Sequence, residues 1–139
     1  MGRNLFDIID GPNGWTDDMG YGAEHALAPP FFVVTHSVPE HVRLGLDFTF
    51  VTDGLESAID QARGVAPRLG DDKHVFVMGG GNVIRQCLDA GLVDELRIHL
   101  SPIVLGDGTP LFDGANRRQY KQESVDVSRH ATHLTYVPC

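Results

Sequence analysis

The sequence predicts an α/β protein, and three observations carry that expectation. Apolar runs that read as strands alternate with stretches whose apolar residues recur every three or four positions, the order that gives a mostly parallel central sheet with flanking helices. One of those runs, Val75-Phe76-Val77-Met78, ends directly in Gly79-Gly80-Gly81 and passes into a helical pattern at Asn82. Towards the C-terminus the pattern changes to strict alternation, in Leu96, Ile98 and Leu100, in Val125 and Val127, and in Leu134 and Tyr136, which predicts antiparallel strands.

Met1-Gly2-Arg3-Asn4 is followed by Leu5, Phe6, Ile8 and Ile9, an apolar set spaced for one face of a short helix with Asn4 as its cap. A domain that opens on a helix cap lacks the strand that would feed it. The chain is therefore expected to be a single domain over residues 1–139, truncated at its N-terminus. Asp10-Gly11-Pro12-Asn13-Gly14 breaks the helix, and a polar, glycine-rich loop with Trp15 and Tyr21 runs to Pro29-Pro30. A loop of that length is usually functional or mobile; its aromatics read as packing in preference to the walls of a substrate pocket. Residues 31–35 and 48–52 are apolar runs of strand length, and Asp53 is placed to cap a helix bearing Leu55, Ala58, Ile59 and Ala62 on one face. A polar connector at Gly70-Asp71-Asp72-Lys73 leads to the strand 75–78, and Gly91 closes the next helix. Residues 96–105 predict one long strand bent near Pro102, and residues 120–127 and 130–137 predict a terminal antiparallel hairpin.

Composition narrows the function classes. At 139 residues, with 42% hydrophobic and 22% charged residues, the chain has the balance of a globular domain with a core. A formal charge of −8 with no offsetting basic stripe disfavours nucleic acid or an anionic membrane as partner. Cys87 and Cys139 have neither disulfide nor metal spacing, and no signal peptide or membrane-length apolar run is legible, so a cytoplasmic protein is expected. No metal site is expected either. His130 and His133 are three apart, on opposite faces of a strand, and His99 reads as a surface or pocket-rim residue.

The triple glycine carries the strongest chemistry. Without Cβ atoms the backbone can turn sharply and approach a ligand, and a helix starting at Asn82 would aim N–H groups and its positive dipole end at an anion. The plainer alternative is a run that only turns the chain. It is not the dinucleotide fingerprint, which needs glycine where Ile84 stands, nor a P-loop, which needs a following lysine. Elsewhere Arg3 offers a forked, permanently charged donor, and Thr35 and Ser37 offer hydroxyls at a strand end. Each of these, and His36 between them, is on its own equally readable as an exposed polar residue.

Met1-Gly2-Arg3, Val34-Thr35-His36-Ser37, Val77-Met78-Gly79-Gly80-Gly81 and Leu105-Gly106-Asp107-Gly108-Thr109-Pro110-Leu111-Phe112, in that order, resemble the dihydrofolate-reductase-like superfamily, closest to the reductase domain of bacterial riboflavin biosynthesis. The resemblance runs through nearly the whole chain. It implies a dihydrofolate-reductase-like three-layer fold and an NADPH-dependent reductase. In its terms Gly2, Arg3 and Asn4 open a helix at a cofactor phosphate, and Thr35, His36 and Ser37 hold the adenosine 2′-phosphate. Gly79, Gly80, Gly81, Asn82 and Val83 cradle the pyrophosphate and flank the nicotinamide. Relatives carry a strand, loop, helix and further strand before the Gly-Arg turn, and those are absent here.

The resemblance leaves the catalytic residues unknown. Asp107 is the nearest candidate for a general acid by family position, while its residue type in Gly106-Asp107-Gly108 fits a turn-former better. The expected activity is reduction of a small heterocyclic substrate, with a riboflavin-pathway intermediate of the 5-amino-6-(5-phosphoribosylamino)uracil type as the best single guess, by a homodimer. The alternatives are a non-catalytic NADP(H)-binding domain, an inactive fragment lacking the substrate half, and a dihydrofolate-reductase-like activity on a pterin.

Overall fold

A computed structural model describes residues 1–18, 29–70 and 73–139, in two compact units, Met1–Ile84 and Arg85–Cys139. Tyr21, Asp71 and Asp72 lie outside the described residues.

In the first unit helix α1 (Arg3–Asp10) precedes strands β1 (Phe31–Val34) and β2 (Phe48–Val51), then helix α2 (Leu55–Leu69). The two strands are parallel, from Phe31 opposite Phe48 to Val34 opposite Val51. Side chains alternate across a strand, so Phe31, Val33, Phe48 and Phe50 share one face. There Phe6 of α1 packs edge-on against Phe48 and Phe50, with centroids 5.1 and 5.0 Å apart. Phe32 and Thr49 are on the opposite face, where they line a depression with Gln61, Val65 and Leu69 of α2. The parallel pair thus has a helix on each face, as the sequence leads one to expect of a βα unit. Phe6, Ile9, Phe31, Val33, Leu44, Val51, Leu55, Ala58 and Ile59 form its buried core.

A parallel pair needs a crossover, and residues 35–47 provide it without a helix. Leu44 is buried beneath it, and one arginine ties it to α1. The backbone N–H groups of Arg43 and Leu44 donate to the Asp10 carboxylate at 2.9 to 3.1 Å. The Arg43 side chain donates to the carbonyls of Asp10 (2.8 Å), Ile9 (3.2 Å) and Trp15 (2.6 Å). The carbonyls of Ile9 and Asp10 belong to the last turn of α1, which leaves them without helical partners, and a guanidinium suits the negative end of a helix. Trp15 packs against Phe31, at a centroid distance of 5.8 Å, which supports the packing role expected of it.

Helix α3 (Gly81–Asp89) bridges the two units in sequence. It ends as expected at Gly91, where φ is +70°. The Gly91 N–H donates to Leu88 O at 3.1 Å and the Leu92 N–H to Cys87 O at 2.9 Å, the paired closure of a Schellman motif.

The second unit is an antiparallel sheet of order β3 (Leu96–Leu100), β5 (Thr132–Pro138), β4 (Tyr120–Val127). The expected hairpin is present: β4 pairs with β5 with a register shift between Gln122 and Ser124. Among the described residues the helices number three, and the architecture is α/β with a small parallel sheet and a C-terminal antiparallel one.

Several local expectations need correction. Residues 75–78 join no ladder; an apolar run becomes a strand only where a partner lies alongside, and the backbone contact of this segment is at its end, where Gly79 O accepts from Gly2 N–H. Only Leu96–Leu100 of the expected strand 96–105 is ladder; beyond it Ile103, Val104 and Leu105 are exposed. The caps also shift. Gly2, not Asn4, precedes α1, and Gly54, not Asp53, precedes α2, while Asn82 lies inside α3. The Asp53 carboxylate instead accepts from the Ser57 hydroxyl at 2.7 Å.

Candidate functional site

The residues that the sequence singles out in the first unit come together at the carboxyl end of β1. Met1 and Gly2 lie beside that strand: Val34 N–H donates to Met1 O at 2.9 Å, and Gly2 bridges Val34 in parallel. Gly2 N–H then donates to Gly79 O at 3.0 Å, joining the start of α1 to the glycine run that opens α3. The approach is close enough to require glycine. A Cβ on Gly2 would lie 2.8 Å from Val83 Cγ2. Gly79 has φ +111°, which L side chains rarely adopt, and a Cβ on Gly80 would meet nothing within 4 Å. The first residues of two helices are thus adjacent, with open space beside Gly80.

Arg3, Thr35 and Ser37 form the polar half of the site. Arg3 Nη1 donates to Ser37 O at 2.9 Å and lies 3.4 Å from Thr35 Oγ1, while Nε donates to the Asp7 carboxylate at 2.7 Å, one helical turn on. Thr35 is the buried polar residue of the first unit, and its side chain closes a turn: the hydroxyl donates to Ser37 O at 2.8 Å and accepts from Ser37 N–H at 3.3 Å. Ser37 and His36 are exposed, and no contact ties His36 to the cluster among the described residues. Asn4 lies on the exposed face of α1. An arginine held against a strand-end turn, beside a helix start, has the chemistry to receive an oxyanion: N–H groups of the first helical turn have no helical partner, and the guanidinium adds charge.

Sequence reasoning missed Asp7. The i, i+4 spacing of Arg3 and Asp7 on a helix was the available signal. The carboxylate orients the guanidinium and offsets part of its charge. It also missed a cleft of about 520 Å³ in this unit, lined by Phe32, Val34, Ile59, Ala62, Val77 and Met78 among others. Its lining is largely apolar, as befits a site for flat or aliphatic groups.

Asp107 belongs to the second unit, is exposed, and accepts from the adjacent Gly108 N–H at 2.7 Å, the turn-forming role that its residue type suggests. Among the described residues no group of three or more His, Cys, Asp or Glu is arranged for a metal, and no helix is long and apolar enough to cross a membrane.

Comparison with known proteins agrees with this geometry. Residues 2–136 match the family model for the RibD C-terminal domain. Over 46 residues, a third of this chain and 24% of the relative, the sequence is 41% identical to an uncharacterised protein, YyaP, of Bacillus subtilis. The fold is similar to a pyrimidine reductase-like protein of Corynebacterium diphtheriae (TM-score 0.55, 23% identity, 78% of this chain and 50% of that one). It is also similar to a diaminohydroxyphosphoribosylaminopyrimidine deaminase/5-amino-6-(5-phosphoribosylamino)uracil reductase of Thermotoga maritima (TM-score 0.54, 23% identity, 79% of this chain and 31% of that one). The chain spans at most half the length of these relatives. Glycine junction, strand-end turn and family match converge, and the chain belongs to the family of RibD C-terminal domains, with the dihydrofolate-reductase-like fold.

Proposed function

We propose that this chain binds NADPH in the first unit and serves a cytoplasmic reductase acting on a small heterocyclic substrate, of which a riboflavin-pathway pyrimidine is the best single candidate. The observation that carries the reading is the junction in which Gly2 N–H meets Gly79 O at 3.0 Å while Arg3 reaches the Thr35–Ser37 turn. The residues fit the cofactor: a Cβ-free approach at Gly2 and Gly79, open space at Gly80, and a guanidinium beside the Thr35 hydroxyl suit a ligand with separate phosphates.

When bound, the cofactor supplies hydride, and the protein supplies position and exclusion of water. Arg3, with Thr35 and Ser37, would hold the 2′-phosphate and so discriminate NADPH from NADH. The amides at the start of α1 and the turn Gly79-Gly80-Gly81 would meet the pyrophosphate, with Asn82 and Val83 flanking it. The neighbouring apolar cleft offers packing for ring systems. Among the described residues no buried acid stands beside this site, which favours as second reading a domain that binds NADP(H) without turnover.

Fluorescence titration of the 139-residue chain with NADPH and NADH tests the proposal. Binding of NADPH at least ~10-fold tighter than NADH, weakened by Arg3→Ala, supports it; a charge-assisted contact of about 1.5–3 kcal/mol corresponds to that range. Equal affinity for the two cofactors, or none for either, would overturn it. Turnover with a pyrimidine substrate separates reductase from binding domain. A homodimer is part of the proposal, motivated by the exposed apolar run Ile103, Val104 and Leu105, and sedimentation equilibrium reads it directly.

A further inference from the structure

We propose that the antiparallel sheet carries a divalent-cation site on the pair His99 and His133, with Zn²⁺ as its ligand class. The two residues are directly opposed in the β3–β5 ladder, and their Nδ1 atoms are 2.6 Å apart. Asp126 is opposite His133 on the other side, in β4. The register therefore places Asp126, His133 and His99 in one row across three strands, on a face shared with Arg97 and Thr135. The Arg97 charge is already met by Glu95.

Ser128 holds the remote nitrogen of His133: its Oγ donates to Ala131 O at 3.1 Å, accepts from the backbone N–H groups of His130 (3.3 Å) and Ala131 (3.1 Å), and lies 3.1 Å from His133 Nε2. The near nitrogens of the two rings face each other and share a proton between them. A ring anchored at its remote nitrogen, with the near one facing a second imidazole, is how outer-shell contacts orient a metal ligand. A cation between the rings takes the Nδ1 lone pair of each neutral imidazole, whose single N–H proton then resides on Nε2, so the neutral pair releases no net proton on binding.

The spacing is close to what a metal needs. Zn–N bonds of about 2.0–2.1 Å at tetrahedral angles hold two nitrogens about 3.3 Å apart, about 0.7 Å wider than the present pair. A small rotation of two solvent-accessible side chains supplies that. Imidazole nitrogens suit Zn²⁺, Cu²⁺ or Ni²⁺ over Mg²⁺ or Ca²⁺. The two histidines are the ligands, and water completes the shell. The cation would staple β5 to β3.

Isothermal titration of the full chain with ZnCl₂ in two buffers of different ionisation enthalpy tests this. The expected result is one site per chain, with the same binding enthalpy in both buffers at a pH where the imidazoles are neutral, and Zn²⁺-dependent thermal stabilisation reversed by EDTA. His99→Gln and His133→Gln should each abolish the site, His130→Gln should leave it intact, and Ser128→Ala should weaken it ~10–100-fold. MgCl₂ should give no heat. Absence of Zn²⁺ binding at millimolar ZnCl₂, or binding that persists in the folded His99→Gln/His133→Gln double variant, would overturn the proposal.

Discussion

The two sheets treat their apolar side chains in opposite ways. In the parallel pair Phe31, Val33 and Val51 are 6, 0 and 2% exposed, whereas Leu100, Val125 and Val127 of the antiparallel sheet are 62, 45 and 80% exposed. The first unit has a helix on each face of two short strands; the second is held by antiparallel backbone ladders and a tight turn at Ser128. A parallel pair has no hairpin to set its register and exists only as part of a core. An antiparallel sheet closes through its turns before any face is covered. The residues proposed to bind the cofactor phosphates lie in the first unit, where packing can hold backbone groups to a fraction of an ångström. The apolar side chains of the second sheet stay exposed.

Breaking the core should separate the units most strongly. Phe6→Ala removes the ring packed between Phe48 and Phe50 and is expected to cost about 3–5 kcal/mol in urea unfolding. Gly2→Ala comes next. Its Cβ would stand 2.8 Å from Val83, so overpacking of about 1–3 kcal/mol is expected, with loss of cofactor affinity because the junction to Gly79 must shift. Arg43→Ala removes a donor to two carbonyls at the end of α1 and to that of Trp15 in the following loop, and a loss of about 1–3 kcal/mol is expected in the same assay. On the exposed face of the second sheet Val127→Thr should change stability by no more than about 0.5 kcal/mol in a dilute, monomeric sample. A loss at Val127 comparable to that at Phe6 would show the face to be covered in solution.

What the sequence made legible follows from the range of the interactions involved. The faces of α1 and α2, the Gly91 closure and the terminal hairpin are set within a few residues, and each was readable from spacing or residue type. Cap positions were misplaced because Asn4 and Asp53 are good cap residues, while the chain uses Gly2, where a Cβ would meet Val83, and Gly54, whose φ is +111°. Residues 75–78 have strand composition, but composition does not supply a neighbour. The order of motifs revealed Arg3, Thr35 and Ser37, yet the bond between Gly2 and Gly79, 77 positions apart in the numbering, had no local signal. His99 was readable only as a rim residue, because its partner His133 is 34 residues away and is chosen by the β3–β5 register.

The central claim is that the Arg3–Thr35–Ser37 cluster is a phosphate receptor within the first unit. Its most direct test is a thermal-unfolding titration with 2′,5′-ADP and with 5′-AMP, which differ by the 2′-phosphate, on the wild type and on Arg3→Ala. The account predicts a melting temperature that rises with 2′,5′-ADP and little with 5′-AMP, with about 2.7 kcal/mol of stabilisation at a hundredfold excess over Kd, and that Arg3→Ala removes most of the difference. Equal shifts from the two nucleotides, or a preference for 2′,5′-ADP that survives Arg3→Ala unchanged, would contradict it.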